Sequence, residues 1–147
     1  KAAEILSKDY GVASDVYSVT SFNELARDGQ DAERFNMLNP DAKAKTPYIA
    51  TVMNKAPAIA ATDYMKNYAD QVRAFIPATS YKVLGTDGFG RSDSRENLRR
   101  HFEVNAGYIV VAALSELVKQ GELKKTVVTD AIKKFGIDSG KTNPLYA

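Results

Sequence analysis

An α/β layer fold, with helices packed on a mostly parallel sheet, is what this 147-residue sequence predicts. Three observations carry that expectation. Short β-branched runs (DVYSVTS, PYIATVM, PAIAATD, YKVLG) alternate with stretches of helical periodicity. One of those stretches, AGYIVVAALSELVKQG, is apolar almost all round through its first three turns, as a buried helix is. The composition is that of an ordinary globular domain, 44% hydrophobic and 26% charged, in a chain long enough for one domain with a real core.

The elements follow in order. Ala2, Ala3, Ile5 and Leu6 give the first segment an apolar helical face, and Gly11 is placed to end it in a left-handed turn. DVYSVTS (15–21) alternates and is β-branched, which predicts a strand. Ser21 and Glu24 form a capping box that opens a short helix, with Gly29 as its stop. DAERFNMLNP (31–40) reads as a second short helix closed by Pro40. PYIATVM (47–53) and PAIAATD (57–63) read as strands, the latter running into an N-cap at Thr62 or Asp63. YMKNYADQVRAFIP (64–77) carries an apolar stripe and stops at Pro77. YKVLG (81–85) is the next strand, and Asp93 with Glu96 offers another capping-box start after it. Two helices close the chain, one ending before Gly121 and one at Gly136, and NPLYA (143–147) is expected to be extended.

The first helix has no strand before it. In an α/β layer a helix crosses over from a preceding strand, and the chain does not begin with Met. Both observations lead to the expectation that residues 1–147 are one domain and a piece of something longer. A net charge of +2 is no footprint for nucleic acid. The absence of cysteine removes disulfides and thiolate chemistry. No apolar run reaches the ~20 residues that cross a bilayer, and KAAEILSKDYG lacks a signal-peptide pattern.

The stretch VLGTDGFGRSDSRENLRRHFE concentrates the chemistry. Eight charged side chains and the single histidine lie between Asp87 and Glu103, in a stretch that turns through Gly85, Gly88 and Gly90. One histidine and no cysteine exclude the usual zinc sets. GTDGFG follows a strand and precedes a helix, where anions bind. It is neither GxGxxG nor a Walker loop, and Asp87 and Asp93 occupy positions an anion would want, so a glycine turn with positive φ is the favoured reading. TDG also has a partial likeness to the Gly-Asp-Gly of thiamine diphosphate enzymes. That motif needs an Asn metal ligand downstream, where this chain has AALSELVKQ, with no Asn. Ser94 and His101 stand two helical turns apart, ~10 Å by helical rise, too far for a nucleophile–base pair. His101 is favoured as a polar residue at a helix surface or subunit contact.

Arg91, Arg95, Arg99 and Arg100 are interleaved with Asp87, Asp93, Glu96 and Glu103, for no net charge. Arg95 and Arg99 are four apart on one helix face, and so are Glu96 and Arg100, the latter in the stabilising order. The preference for arginine over lysine favours a surface that pairs with other protein groups, since a planar guanidinium suits desolvated bidentate contacts. Asp87, Arg91, Asp93, Arg95, Glu96, Arg99, Arg100 and His101 are therefore the candidate interface residues.

From TDYMKNYADQVRAFIP through LGTDGFGRSDSRENLRRHFE to SELVKQGEL, and on both flanks to the chain ends, the sequence closely resembles the C-terminal domain of bacterial homodimeric pyruvate dehydrogenase E1 components, in the transketolase-like family. The resemblance implies a three-layer domain whose mixed, mainly parallel sheet is flanked by helices, here without its leading strand. It implies a cytoplasmic parent subunit dependent on thiamine diphosphate and Mg2+, which decarboxylates pyruvate and hands the acetyl group to lipoyl groups of dihydrolipoyl acetyltransferase. In that family the cofactor ligands lie in the first two domains, so the residues here carry none and the isolated chain is expected to be inactive. The implied partners are the other domains of the same chain, the second subunit and the acetyltransferase. Two alternatives stay open: the equivalent domain of another transketolase-like enzyme, and a free-standing regulatory or nucleotide-binding domain using the GTDGFG turn.

Overall fold

The computed structural model describes residues 1–147. Its elements are α1 (Ala2–Tyr10), α2 (Phe22–Leu38), α3 (Tyr48–Val52), β1 (Ala58–Ala61), α4 (Lys66–Asp70), a 3-10 turn (Arg73–Phe75), β2 (Tyr81–Leu84), α5 (Arg95–His101), α6 (Ala106–Lys119), α7 (Lys125–Lys134) and a second 3-10 turn (Pro144–Tyr146). β1 and β2 pair in parallel with Ala58 opposite Tyr81 and Ala61 opposite Leu84. The α/β class holds, and the sheet is smaller than the sequence predicts.

Two expected strands are absent. DVYSVTS has no regular structure: no strand lies beside it, its backbone makes no main-chain hydrogen bond from Ala13 to Thr20, and Val16 is 79% exposed. It is tied down only by side chains, Tyr17 Oη donating to the Val52 carbonyl at 3.2 Å and Asn54 Nδ2 to Asp15 at 2.9 Å. PYIATVM is instead the single helical turn α3. Asp28 accepts from the Tyr48 N–H at 2.6 Å, and Ile49 turns inward against Ala26, Val72 and Phe75. Tertiary packing overrides the β propensity of a short run there.

Gly29 does not end a helix. α2 runs through it, capped by Ser21, whose hydroxyl accepts from the Glu24 N–H at 3.2 Å. Gly29 is buried because the Phe75 ring lies where a Cβ would be. The expected helix at 64–77 breaks into α4 and a 3-10 turn, because Met65 is extended (ψ 143°) and Val72 sits in the bridge region (φ −91°, ψ 1°). The predicted stripe is buried only in part: Ala69, Val72 and Phe75 turn inward, whereas Met65 and Tyr68, expected on the same face, are exposed. The segment expected to be an extended tail makes a 3-10 turn, with the Asn143 side chain accepting from the Leu145 N–H at 3.0 Å. Gly11, Gly121 and Gly136 all take the positive φ that their helix-ending positions require.

The core has two centres. Leu6, Val110, Leu114 and Ala131 join α1, α6 and α7, while Ala26, Ile49, Val72 and Phe75 join α2, α3 and the turn after α4. Full burial of Val72, Val110 and Leu114 contributes about 1.5–3 kcal/mol each. Only 17 of 147 residues are buried, so much apolar surface stays outside these centres.

A candidate interface at the glycine–arginine loop

The candidate site sits at the carboxyl ends of the two parallel strands. β2 ends at Leu84, and Gly85 follows because the Tyr64 carbonyl would lie 2.9 Å and the Lys66 nitrogen 3.0 Å from any Cβ there. Thr86 N–H donates to that Tyr64 carbonyl at 2.8 Å. Asp87 accepts from the Lys66 backbone N–H at 3.0 Å and pairs with its ammonium at 3.5 Å. Asp87 thus staples the loop to the first residue of α4. Gly88, at φ +95°, lies against the Pro144 carbonyl. Phe89, at the tip, is 83% exposed.

The start of α5 corrects one expectation. The N-cap is Ser94, whose hydroxyl accepts from the Asn97 N–H at 3.3 Å, and not Asp93. Asp93 stands one residue earlier and accepts from the Asn97 amide at 2.9 Å and the Ser94 N–H at 2.6 Å. These two hydrogen bonds, the Asn97 one foremost, hold its carboxyl below the usual carboxylate range.

The four arginines divide. Arg99 reaches across to Asp63 at 3.2 Å, and Arg100 donates to the Gly136 carbonyl at 3.3 Å, so Arg100 does not pair with Glu96 as the i,i+4 spacing predicts. Arg91, Arg95 and Glu96 are exposed and form no ion pair. His101 packs its ring edge-to-face against Phe102, centroids 4.8 Å apart, and its buried Nε2 has no hydrogen-bond partner. Ser94 and His101 lie at opposite ends of α5.

Sequence reasoning missed the apolar half of this surface. Tyr64, Met65 and Tyr68 sit beside the loop, with the Tyr64 and Tyr68 rings 5.7 Å apart, and Leu145 and Tyr146 follow the Pro144 that Gly88 abuts. All are exposed, Tyr146 at 78%. The aromatic and apolar residues clustered at Tyr64, Met65 and Tyr68 were the signal available.

No three His, Asp or Glu side chains converge to hold a metal ion. The acidic groups of the loop are engaged by Lys66, Ser94 and Asn97, so this donor set does not fit Mg2+ or a diphosphate. No helix is long and apolar enough to cross a membrane.

A two-stranded parallel sheet covered by helices, with a glycine loop at its carboxyl edge, defines a small α/β domain. The chain belongs to the transketolase-like TK C-terminal domain family, whose model matches residues 1–105. Over all 147 residues it is 70% identical to the C-terminal part of the pyruvate dehydrogenase E1 component of Escherichia coli (strain K12), spanning 17% of that protein. Identity to the proteins of the same name is 60% in Haemophilus influenzae, over the whole chain, and 52% in Pseudomonas aeruginosa, over 99% of it; again 17% of each relative is covered. The chain spans about a sixth of the length of these relatives.

Proposed function

We propose that residues 1–147 serve as the C-terminal structural and interface domain of a pyruvate dehydrogenase E1 subunit, and that the glycine–arginine loop is covered there by other domains or by the second subunit near the active-site entrance. One observation carries this reading. The accessible surface is 9,810 Å² for 16.1 kDa, whereas a compact monomer of that mass exposes about 7,400 Å². The excess of about 2,400 Å² exceeds the ~800 Å² per partner of a standard interface.

In this reading the parent subunit is cytoplasmic and homodimeric. It decarboxylates pyruvate with thiamine diphosphate and Mg2+ bound by residues outside this domain, and passes acetyl to the lipoyl groups of dihydrolipoyl acetyltransferase. The domain's own residues supply packing: Arg91, Arg95 and Glu96 keep both signs of charge free for a partner, while Phe89, Leu145 and Tyr146 supply apolar area. The exposed run Asp15–Thr20 and the outer edge of β1 offer places for further strands of the sheet.

Charge reversal tests this. Arg95→Glu in the full-length subunit is expected to weaken dimerisation or domain packing at least tenfold, read by sedimentation, with thiamine diphosphate affinity little changed. Full assembly and activity in that variant would refute the surface assignment. Isolated residues 1–147 titrated with thiamine diphosphate and Mg2+ are expected to give no heat; tight binding would return the reading to a cofactor or nucleotide domain.

A further inference from the structure

β2 has one neighbour in the sheet. Its ladder to β1 uses alternate residues: Ala58 N–H donates to the Ser80 carbonyl at 2.9 Å and Thr62 N–H to the Leu84 carbonyl at 3.0 Å, with Ala60 opposite Val83. In a parallel ladder the intervening residues turn their backbone groups to the other edge. Of these, the Tyr81 carbonyl is taken by the Arg73 guanidinium at 2.8 Å. The Val83 N–H and C=O and the Gly85 N–H have no partner within the chain. An open edge of this kind is a template for pairing with another polypeptide.

That edge does not face open solvent. It lines a crevice of about 180 Å³, closed on the far side by Phe102, Glu103 and the segment Asn143–Leu145. The crevice is polar and roomy enough for water to satisfy the edge. The segment is fixed at several points. Pro144 is buried, and its carbonyl fills the position a Gly88 side chain would take. Just before it, the Lys141 ammonium bridges the Glu103 carboxylate at 3.2 Å and the His101 carbonyl.

We propose that Asn143–Tyr146, seated on Gly88, is a guard for the outer edge of β2, which keeps a second strand from adding to Val83 and Gly85. Covering an edge with a loop is one of the ways proteins suppress edge-to-edge association, and the glycine is what lets the loop and the guard approach closely. The proposal concerns the backbone of β2 and its cover, whereas the interface reading above concerns exposed side chains, those of Leu145 and Tyr146 included; amide exchange at Val83 and Gly85 reads the first and not the second.

The test uses the full-length polypeptide. Gly88→Ala strains a backbone at φ +95° and pushes against the Pro144 carbonyl, whereas Gly90→Ala, two residues on, meets open space and is the control. A second variant truncated after Thr142 removes the guard without touching the loop. Gly88→Ala and the truncation are expected to speed amide exchange at Val83 and Gly85 at least tenfold and to cause concentration-dependent association by light scattering, with Gly90→Ala like the parent. Unchanged exchange at Val83 in the truncated protein overturns the proposal, as does faster exchange without association. If Gly88→Ala unfolds, the truncation alone decides. Exchange accelerated equally throughout α6 in the truncated protein also overturns it, because the segment would then be core and not guard.

Discussion

At Gly29 the residue type and the fold explain each other. Replacing it by Ala gains about 1 kcal/mol of helix propensity, but the new methyl would fall on the Phe75 ring, which is itself buried. Overpacking of a filled core costs typically about 1–3 kcal/mol, so Gly29→Ala is expected to lower stability despite the better helix former, read as a reduced urea midpoint. Greater stability in the variant would mean that Phe75 yields freely. Glu116 is a second residue whose environment makes a measurable claim. It is 6% exposed, and the Lys119 ammonium at 2.6 Å, with Lys82 nearby, holds its carboxyl below the ordinary 4.5 against the desolvation of burial. A carboxyl depressed in the fold stabilises fully above its unfolded pKa and loses that contribution as pH falls through the folded value. Glu116→Gln is therefore expected to cost about 1–2 kcal/mol at pH 7 and progressively less as pH falls below 4.5, checked by thermal melts across that range.

Among the elements, α5 shows what a cap does. Ser94 supplies the side-chain acceptor for the first turn, and Asp93 supports it through Asn97. Ser94→Ala is expected to cost about 1 kcal/mol and to raise exchange in α5 while leaving α6 unchanged; equal loosening of both would show that α5 is held by packing alone. The helices were legible where periodicity and end signals agree: α1 with Gly11, α6 and α7 with Gly121 and Gly136, and the Ser21 cap of α2. The strands were not, because β-branched runs state only a preference for a pleated surface. PAIAATD and YKVLG find each other, DVYSVTS finds no neighbour, and PYIATVM is drawn into a helical turn by Asp28 and Ile49. At the site, the charged loop was legible from its composition. Its internal wiring was not: Arg99 to Asp63 and Asp87 to Lys66 bridge residues far apart in sequence, and no local spacing encodes them.

For the molecule as a whole, the excess of exposed surface is the dominant fact. Thirteen large apolar side chains are exposed, among them Val16, Tyr17 and Val19, Met37 and Leu38 at the end of α2, and Phe89, Tyr64, Leu145 and Tyr146 around the glycine loop. Free residues 1–147 are accordingly expected to bind a hydrophobic dye strongly and to melt several degrees below the same residues within the full-length polypeptide; equal dye binding in the two would remove the case for covering. The first core centre has a further consequence, for synthesis. Leu6 packs against Val110, Leu114 and Ala131, and Asp9 is bonded to Lys134, 125 residues later. On a ribosome making about 5–20 residues per second, α1 emerges roughly 6–25 s before the helix that completes its seat. For that interval Ile5 and Leu6 stay without the α6 and α7 surface that covers them in the finished fold, and a segment of nine residues does not hold a helix alone.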